Sequence, residues 1–327
     1  MPTQTLRWGL LSTARINKKL ITPLQLSKRN KLIAVASRSQ ENANVYAREN
    51  KIESAYGSYT DLLADPDIDV IYNPLPNHLH AEWTIKAVEA GKHVLCEKPL
   101  ALTLDEVDAM TAAAKKHGKV VAEAFMYRSH PKTLKVKEIV DSGELGQLKI
   151  VRGSFSFLMT NADDIRWKPE MGGGALWDIG CYPLSYTRSA LGVEPIEVFG
   201  WQVTGPTGMD EVFAAQLHFP GDIYAQFDCS VKIPYHTFME FVGDEGTLSV
   251  SNPFNPHGKE TLYLTKNGKT KGFPVNGPDP YVSEIEDMAD TILLGKPQRV
   301  SLADSRADVA AILALFDSAK LGKPVTL

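Results

Sequence analysis

The chain has 327 residues, 43% of them hydrophobic and 23% charged, with a formal net charge of −4. That length suits two domains of ordinary globular composition. The slight negative charge argues against nucleic acid or an anionic membrane as a partner. Eight histidines are scattered without a C-x-x-C or H-E-x-x-H pattern, so no metal site is expected. Cys96, Cys181 and Cys229 are odd in number and widely spaced, which suits reduced thiols better than a disulfide framework. "MPTQTLRWGLL" is too short an apolar run for a signal peptide, and no stretch approaches the ~20 apolar residues of a membrane span. The expectation is a soluble cytoplasmic protein.

Along residues 1–125, short apolar strands alternate with helical patterns. "LRWGLL" (6–11) reads as a strand, "ARINKKLITPLQLS" (14–27) as a helix flawed by Pro23, and "KLIAVAS" (31–37) as a second buried strand. Helix "QENANVYARENK" (40–51), a short helix within 58–68, strand "DVIYNPL" (69–75) and helix 80–92, ending at Gly91, follow. Strand "HVLCEK", helix "TLDEVDAMTAAAKKHG" and strand "KVVAEAF" complete the series. Continuously apolar strands between helices predict a doubly wound parallel sheet that binds a nucleotide.

Beyond about residue 145 the pattern changes to β-branched and aromatic alternation. Strands are expected within 148–159, 196–205, 211–219, 222–231, 236–243, 246–252 and 260–268, forming one large, mostly antiparallel sheet. Amphipathic helices at 281–294 and 302–321 close the chain. The two expected domains are 1–125 and 126–327, the second including both of those helices.

Three stretches carry chemistry. After the first strand comes "GLLSTARI", with Gly9, Ser12, Thr13, Ala14, Arg15 and Ile16. A dinucleotide fold places the pyrophosphate at this helix start, held by backbone N–H groups and hydroxyls. With one glycine the stretch reads equally as a plain strand-to-helix turn. After the second strand, "VASRSQ" offers Ser37 and Arg38 where an NAD site usually has an acid; none comes before Glu41. A guanidinium there can pair with a 2′-phosphate, which favours NADP, with NAD possible. Third, "VLCEKPLAL" puts Glu97 and Lys98 at the tip of a core strand and stiffens the backbone with Pro99. Ligands bind beyond the carboxyl ends of such strands, though a surface salt bridge would give the same pair.

"CEKPLAL" resembles the Glu-Lys-Pro signature of the glucose–fructose oxidoreductase/inositol dehydrogenase/MocA family. The resemblance extends over nearly the whole chain: residues 6–16, 55–83, "EAFMYRSHP" (123–131) and "RWKPEMGGGALWDIGCYPL" (166–184) are similar to further family motifs. It implies a Rossmann domain followed by a substrate domain with a large open sheet, through which homodimers or homotetramers form. It implies a nicotinamide cofactor lined also by Pro74, Leu75, Asn77, His80, Glu97, Lys98 and Arg166. Many members have His where this chain has Tyr182. The tyrosine is similar to the branch of D-xylose dehydrogenases and dimeric dihydrodiol dehydrogenase. In that branch Lys98 and Tyr182 would exchange the proton of an alcohol or carbonyl, with Asp178 orienting the substrate. If "GGGALWDIGCYPL" (172–184) were one helix, Asp178 and Tyr182 would share a face; Pro183 argues for a helix starting near Gly180. Tyr127, Arg128, Phe157, Trp177 and Asp178 are candidate substrate contacts.

The expected activity is NADP-dependent hydride transfer on a sugar-like alcohol or carbonyl, most simply oxidation of a D-xylose-type aldose at C1. The alternatives are a trans-dihydrodiol dehydrogenase, a sugar ketoreductase, or a non-catalytic NADP-binding regulator.

Overall fold

The computed structural model describes residues 5–327. By internal packing these residues form two compact units. The first contains the described chain up to Met126 together with Tyr281–Arg306; the second contains Tyr127–Pro280 and Ala307–Leu327.

In the first unit, β1 (Leu6–Leu11), α1 (Asn17–Leu26), β2 (Asn30–Ala36), α2 (Gln40–Asn50), β3 (Ser54–Tyr56) and α3 (Tyr59–Ala64) lead to β4 (Val70–Asn73). Then come α4 (His80–Glu89), β5 (His93–Glu97), α5 (Leu104–His117) and β6 (Val121–Ala124). The strands pair in parallel in the order β3-β2-β1-β4-β5-β6. The order reverses between β1 and β4, and that crevice is where such sheets take their ligands. Local chemistry sets the helix ends: Ser39 and Ser58 cap α2 and α3, and Thr103 with Glu106 forms a capping box on α5, which stops at Gly118. The sequence reading missed β3, whose three half-buried residues carry no periodic pattern.

The second unit begins with α6 (Pro131–Asp141) and β7 (Leu148–Ser156), followed by α7 (Cys181–Leu191). Seven strands follow: β8 (Glu197–Thr204), β9 (Asp210–Phe219), β10 (Ile223–Ser230), β11 (His236–Gly243), β12 (Thr247–Ser251), β13 (Gly258–Lys266) and β14 (Lys269–Gly277). With β7 and the last strand, β15 (Val325–Thr326), they form one nine-stranded sheet, ordered β14-β13-β12-β11-β7-β10-β9-β8-β15, in which the β7–β10 pair is parallel and the others antiparallel. Phe213, Leu217, Phe227 and Phe241 fill its inner face; Trp201, Val203 and Tyr224 stand on its outer face, each more than half exposed. Strand β14 was not expected. Its lysines and Pro274 disguise it, and both belong on a sheet edge.

The chain ends with α8 (Pro280–Leu294), α9 (Leu302–Leu321) and β15 (Val325–Thr326). Here the expected division needs correcting, because the segment 281–306 packs with the first unit. Arg29 donates to Glu286 at 2.5 Å and to Asp290 at 2.6 Å, Gln298 reaches the Val121 carbonyl, and Ile285, Met288 and Ala289 are buried. The rest of α9 belongs to the second unit: Phe316 packs on Trp177 and Phe213, and buried Asp308 accepts from Arg188 at 2.9 Å. Among the described residues no helix is long and apolar enough to cross a membrane.

Candidate active site

In the first unit the predicted residues gather at the carboxyl ends of β1, β2, β4 and β5. Strand β1 runs into Ser12, which takes φ +101°, a conformation usually left to glycine. Its N–H donates to the Ala36 carbonyl at 3.1 Å, and its own carbonyl accepts from the Asn17 amide at 2.8 Å. Thr13, Ala14 and Ile16 are half-buried around this turn and Arg15 is exposed. Gly9 is tightly packed: a Cβ would stand 3.1–3.3 Å from side-chain carbons of Ile68, Leu62 and Ile71, which would have to give way slightly. The start of α1 has no side-chain cap and no acid in its first turn. Its N–H groups and the positive end of its dipole suit an anion. At the end of β2, Ser37 is buried and its N–H donates to the Tyr56 carbonyl at 2.9 Å. Arg38 is exposed beside it.

The turn bearing Lys98 is held at three points. The buried Tyr72 hydroxyl donates to the Glu97 carboxylate, whose other oxygen accepts from the Lys98 N–H at 3.3 Å. Burial, reinforced by the Glu97 charge, pushes the Tyr72 hydroxyl well above its ordinary range and keeps it a donor. The Pro99 carbonyl lies 2.8 Å from His80 Nδ1, and the Leu100 N–H donates to Glu123 at 2.8 Å. The Lys98–Pro99 peptide is cis. Pro74 and Leu75, just past the end of β4, are buried, and Asn77 opens the half-exposed turn before α4.

In the second unit the glycine-rich signature is a packing junction. Gly174 takes φ +106°, and its N–H donates to the Arg166 carbonyl at 3.0 Å. A Cβ on Gly173 would meet that same carbonyl at 2.2 Å. From Ala175 the backbone is helical, first as a π turn over Leu176–Gly180 and then as α7. Pro183 falls in the first turn of α7, as its missing N–H demands, but the helical backbone begins earlier than expected. The wider π turn moves Asp178 and Tyr182 off the plain i,i+4 alignment of a single α-helix. Arg166 Nε lies 3.4 Å from Asp178 Oδ2 and 3.7 Å from Asp164 Oδ1, and its guanidinium carbon lies 5.6 Å from the Phe157 ring centroid. Arg166, Asp178 and Phe157 thus stand together. The Tyr182 ring sits among Phe155, Phe254 and Tyr127, with centroids 5.2–5.7 Å away.

Several of the predicted site residues also make internal contacts. His80 is fully buried, with Nε2 2.7 Å from the Leu75 carbonyl and Nδ1 facing the Pro99 carbonyl between two loops. Burial pushes its pKa down to about 4, against the pull of both carbonyls. Glu97 holds its own turn. Tyr127 is fully buried, stacks on Tyr186 at 5.3 Å and donates to the Tyr182 carbonyl at 3.3 Å. Arg128 reaches Ser185 at 2.9 Å, and Trp177 packs on Phe316. Phe155, Phe254 and Asp210, all close to this site, escaped the sequence reading. Asp210 stands 32 residues beyond Asp178, in a strand start that shows no motif.

Comparison with known proteins matches this architecture. The model of the oxidoreductase family with an NAD-binding Rossmann fold (GFO/IDH/MocA) covers residues 6–125, and that of the GFO/IDH/MocA C-terminal domain covers 133–249. The chain belongs to the GFO/IDH/MocA family. It is 36% identical to the D-xylose 1-dehydrogenase (NADP(+)) 2 of Haloferax volcanii, over 98% of this chain and 99% of that one. It is 31% identical to a trans-1,2-dihydrobenzene-1,2-diol dehydrogenase of Danio rerio, over 96% of each. Among solved structures, a 3-ketoreductase from Actinomadura kijaniata in complex with NADP and TDP-benzene is 28% identical with a TM-score of 0.90, covering 96% of this chain and 98% of that one.

The protein is therefore an oxidoreductase with an NAD(P)-binding Rossmann domain, as family membership requires. Its own residues fit such a cofactor. The uncapped start of α1 and the Ser12 turn suit a pyrophosphate, and β2 ends in Ser37 and Arg38 without an acid. Among the described residues no His, Cys, Asp and Glu cluster could hold a metal ion.

Proposed function

We propose that the protein transfers a hydride between NADP and a sugar-like alcohol or carbonyl, most simply as a D-xylose-type aldose 1-dehydrogenase. The reading rests on one observation above all. The carboxyl edge of the parallel sheet collects a lysine on a triply held turn, an uncapped helix start and Arg38. The Haloferax volcanii relative supports an aldose as substrate and NADP as cofactor.

When bound, the nicotinamide supplies the hydride acceptor or donor. Tyr182 moves the proton at the substrate oxygen. A free phenol, pKa ~10, is a weak base at neutral pH, and the Lys98 ammonium lowers that barrier by favouring the phenolate. In the reducing direction Tyr182 is the acid. Asp178, held by Arg166, orients a substrate hydroxyl. Ser12, Thr13, Ala14, Arg15 and Ile16 hold the pyrophosphate; Ser37 and Arg38 hold the 2′-phosphate; Pro74, Leu75 and Asn77 line the nicotinamide side. Phe157 and the aromatic group around Tyr182 offer apolar faces to a sugar ring or a dihydrodiol.

A homodimer or homotetramer through the outer face of the second unit's sheet is part of the same reading. Phe199, Trp201, Val203 and Tyr224 present aromatic and apolar surface there, and Trp201 also lines a hollow of about 240 Å³ with Gln216, Gln226 and Phe238. The three free thiols, all buried, suit a cytoplasmic site of action.

The test is a panel of pentoses, hexoses, inositols and dihydrodiols, each offered with NADP and with NAD, following reduced cofactor at 340 nm. Turnover of an aldose with NADP supports the reading; turnover confined to dihydrodiols moves it to that alternative. Cofactor binding without turnover of any of them, or of a keto sugar in reverse, points to a regulator.

A further inference from the structure

We propose that Asp210 is a positioning residue for this site: its carboxylate, reaching across from β9, holds the start of the helical segment that presents Asp178 and Tyr182. The proposal deepens the oxidoreductase reading and, for its kinetic half, rests on it.

The geometry is specific. Asp210 is 3% exposed, and its Oδ2 accepts the Leu176 N–H at 2.7 Å. The nearby backbone N–H groups of Ala175 and of Asp210 itself also favour the charged form of this carboxyl group. Its other oxygen occupies the place a side chain on Gly174 would need, 2.0 Å from where a Cβ would stand. Two neighbouring glycines are thereby accounted for. Gly173 packs on the Arg166 backbone and Gly174 on Asp210, so one junction fixes Arg166, Asp178 and Tyr182 relative to each other. Ordinary helix caps are the neighbouring serine, threonine or asparagine. Here the cap comes from a distant strand and is a buried acid, which is costly unless its charge is used. A charged acceptor holds N–H groups more tightly than a neutral one, and the positive end of the helix dipole adds to that preference.

The group also titrates in a useful range. Burial pushes its pKa up to about 7, while the surrounding backbone N–H groups pull it down. The titratable groups around it are Cys229 on β10, whose thiol is driven further up by the Asp210 charge, and beyond it Cys181 on α7. Of the nearby charges, Asp178 on the turn is paired with Arg166, Glu211 on β9 is paired with Lys232 at 3.0 Å, and Asp228 on β10 accepts from Ser154 at 2.7 Å. Above neutrality the carboxylate clamps the segment. Below it the clamp is a neutral acid and the segment loosens.

The experiment is hydrogen exchange, read by mass spectrometry on the peptide spanning 174–182, for the full-length protein and Asp210→Asn between pH 5.5 and 8.5. After correction for intrinsic exchange, the wild-type peptide should gain about tenfold protection as pH rises through neutrality, and the asparagine variant should not. With the best substrate found, Asp210→Asn should lose at least tenfold in kcat, keep the cofactor KM within twofold, and lack the wild-type acid limb near pH 7. Flat wild-type protection, or a variant with unchanged kcat and pH profile, overturns the proposal. Should Asp210→Asn fail to fold, the wild-type exchange profile decides alone. Should the wild type turn over no substrate, the oxidoreductase reading fails, and the exchange comparison still decides whether Asp210 holds the segment.

Discussion

His80 Nδ1 lies 2.8 Å from the Pro99 carbonyl oxygen, inside a ring environment closed to solvent. The other ring nitrogen faces the Leu75 carbonyl at 2.7 Å. A neutral imidazole has a single N–H, so only protonation would satisfy both acceptors. Burial outweighs that gain and keeps the ring neutral, with a pKa of about 4 against an ordinary 6.5. At neutral pH the ring therefore donates to only one of the two carbonyls.

A pH dependence of stability follows. A histidine depressed in the fold contributes stability above its unfolded pKa and loses it as pH falls toward the folded one. Between pH 6.5 and 4 the unfolded chain binds the extra proton, so stability should fall by about 3 kcal/mol from this residue. Urea titrations of the wild type and His80→Gln across that window check it. The variant should be destabilised by about 2–4 kcal/mol at pH 7, and the difference should shrink on acidification. A constant difference would refute the neutral-histidine account.

Arg38→Ala should weaken NADP binding by about 1.5–3 kcal/mol, the usual worth of charge-assisted hydrogen bonds, and leave NAD binding nearly unchanged. Fluorescence or calorimetric titration of both cofactors measures it. Equal losses would remove the arginine from the 2′-phosphate site.

Tyr182→Phe keeps the ring within its aromatic surroundings and removes only the hydroxyl. Turnover should drop by about 10²–10⁴, with cofactor binding intact. Lys98→Met should behave alike and raise the apparent pKa of the basic limb. If both residues serve one step, as proposed, the double variant should fall little below the worse single one. Near-normal kcat in Tyr182→Phe would make the tyrosine structural.

Trp201 is 57% exposed on the outer sheet face, with the Phe199 ring 4.1 Å away. If that face is covered by a second copy, Trp201→Asp should shift the light-scattering mass toward 36 kDa, the mass of one chain, without unfolding it. A wild type that is already monomeric at all concentrations would end the oligomer proposal.

A buried ion pair gives a further check on the second unit. Lys132 is 1% exposed at its side chain and donates to Glu260 at 2.8 Å and to the Ser251 carbonyl at 2.5 Å. Removing the acid alone leaves a buried ammonium, so Glu260→Gln should cost about 3–5 kcal/mol. The double variant Lys132→Met, Glu260→Gln should recover part of that loss in the same denaturation assay.

What the sequence determined by itself is what depends on near neighbours. Continuous apolar strands between amphipathic helices led to the parallel sheet, and alternation led to most of the second sheet, because both periodicities are local consequences of backbone geometry. "CEKP", "VASRSQ" and "GGGALWDIGCYP" nominated Lys98, Arg38 and Tyr182 because each motif puts its candidate group within a few residues of a turn. Tertiary packing decided the rest. The segment 281–306 returns to the first unit because Arg29, some 260 residues earlier, meets Glu286 and Asp290. His80 sits between two loops because Leu75 and Pro99 converge on its ring. Asp210 reaches the glycine-rich turn only because β9 starts beside it. Contacts of that kind join residues far apart in the chain, and no local spacing records them.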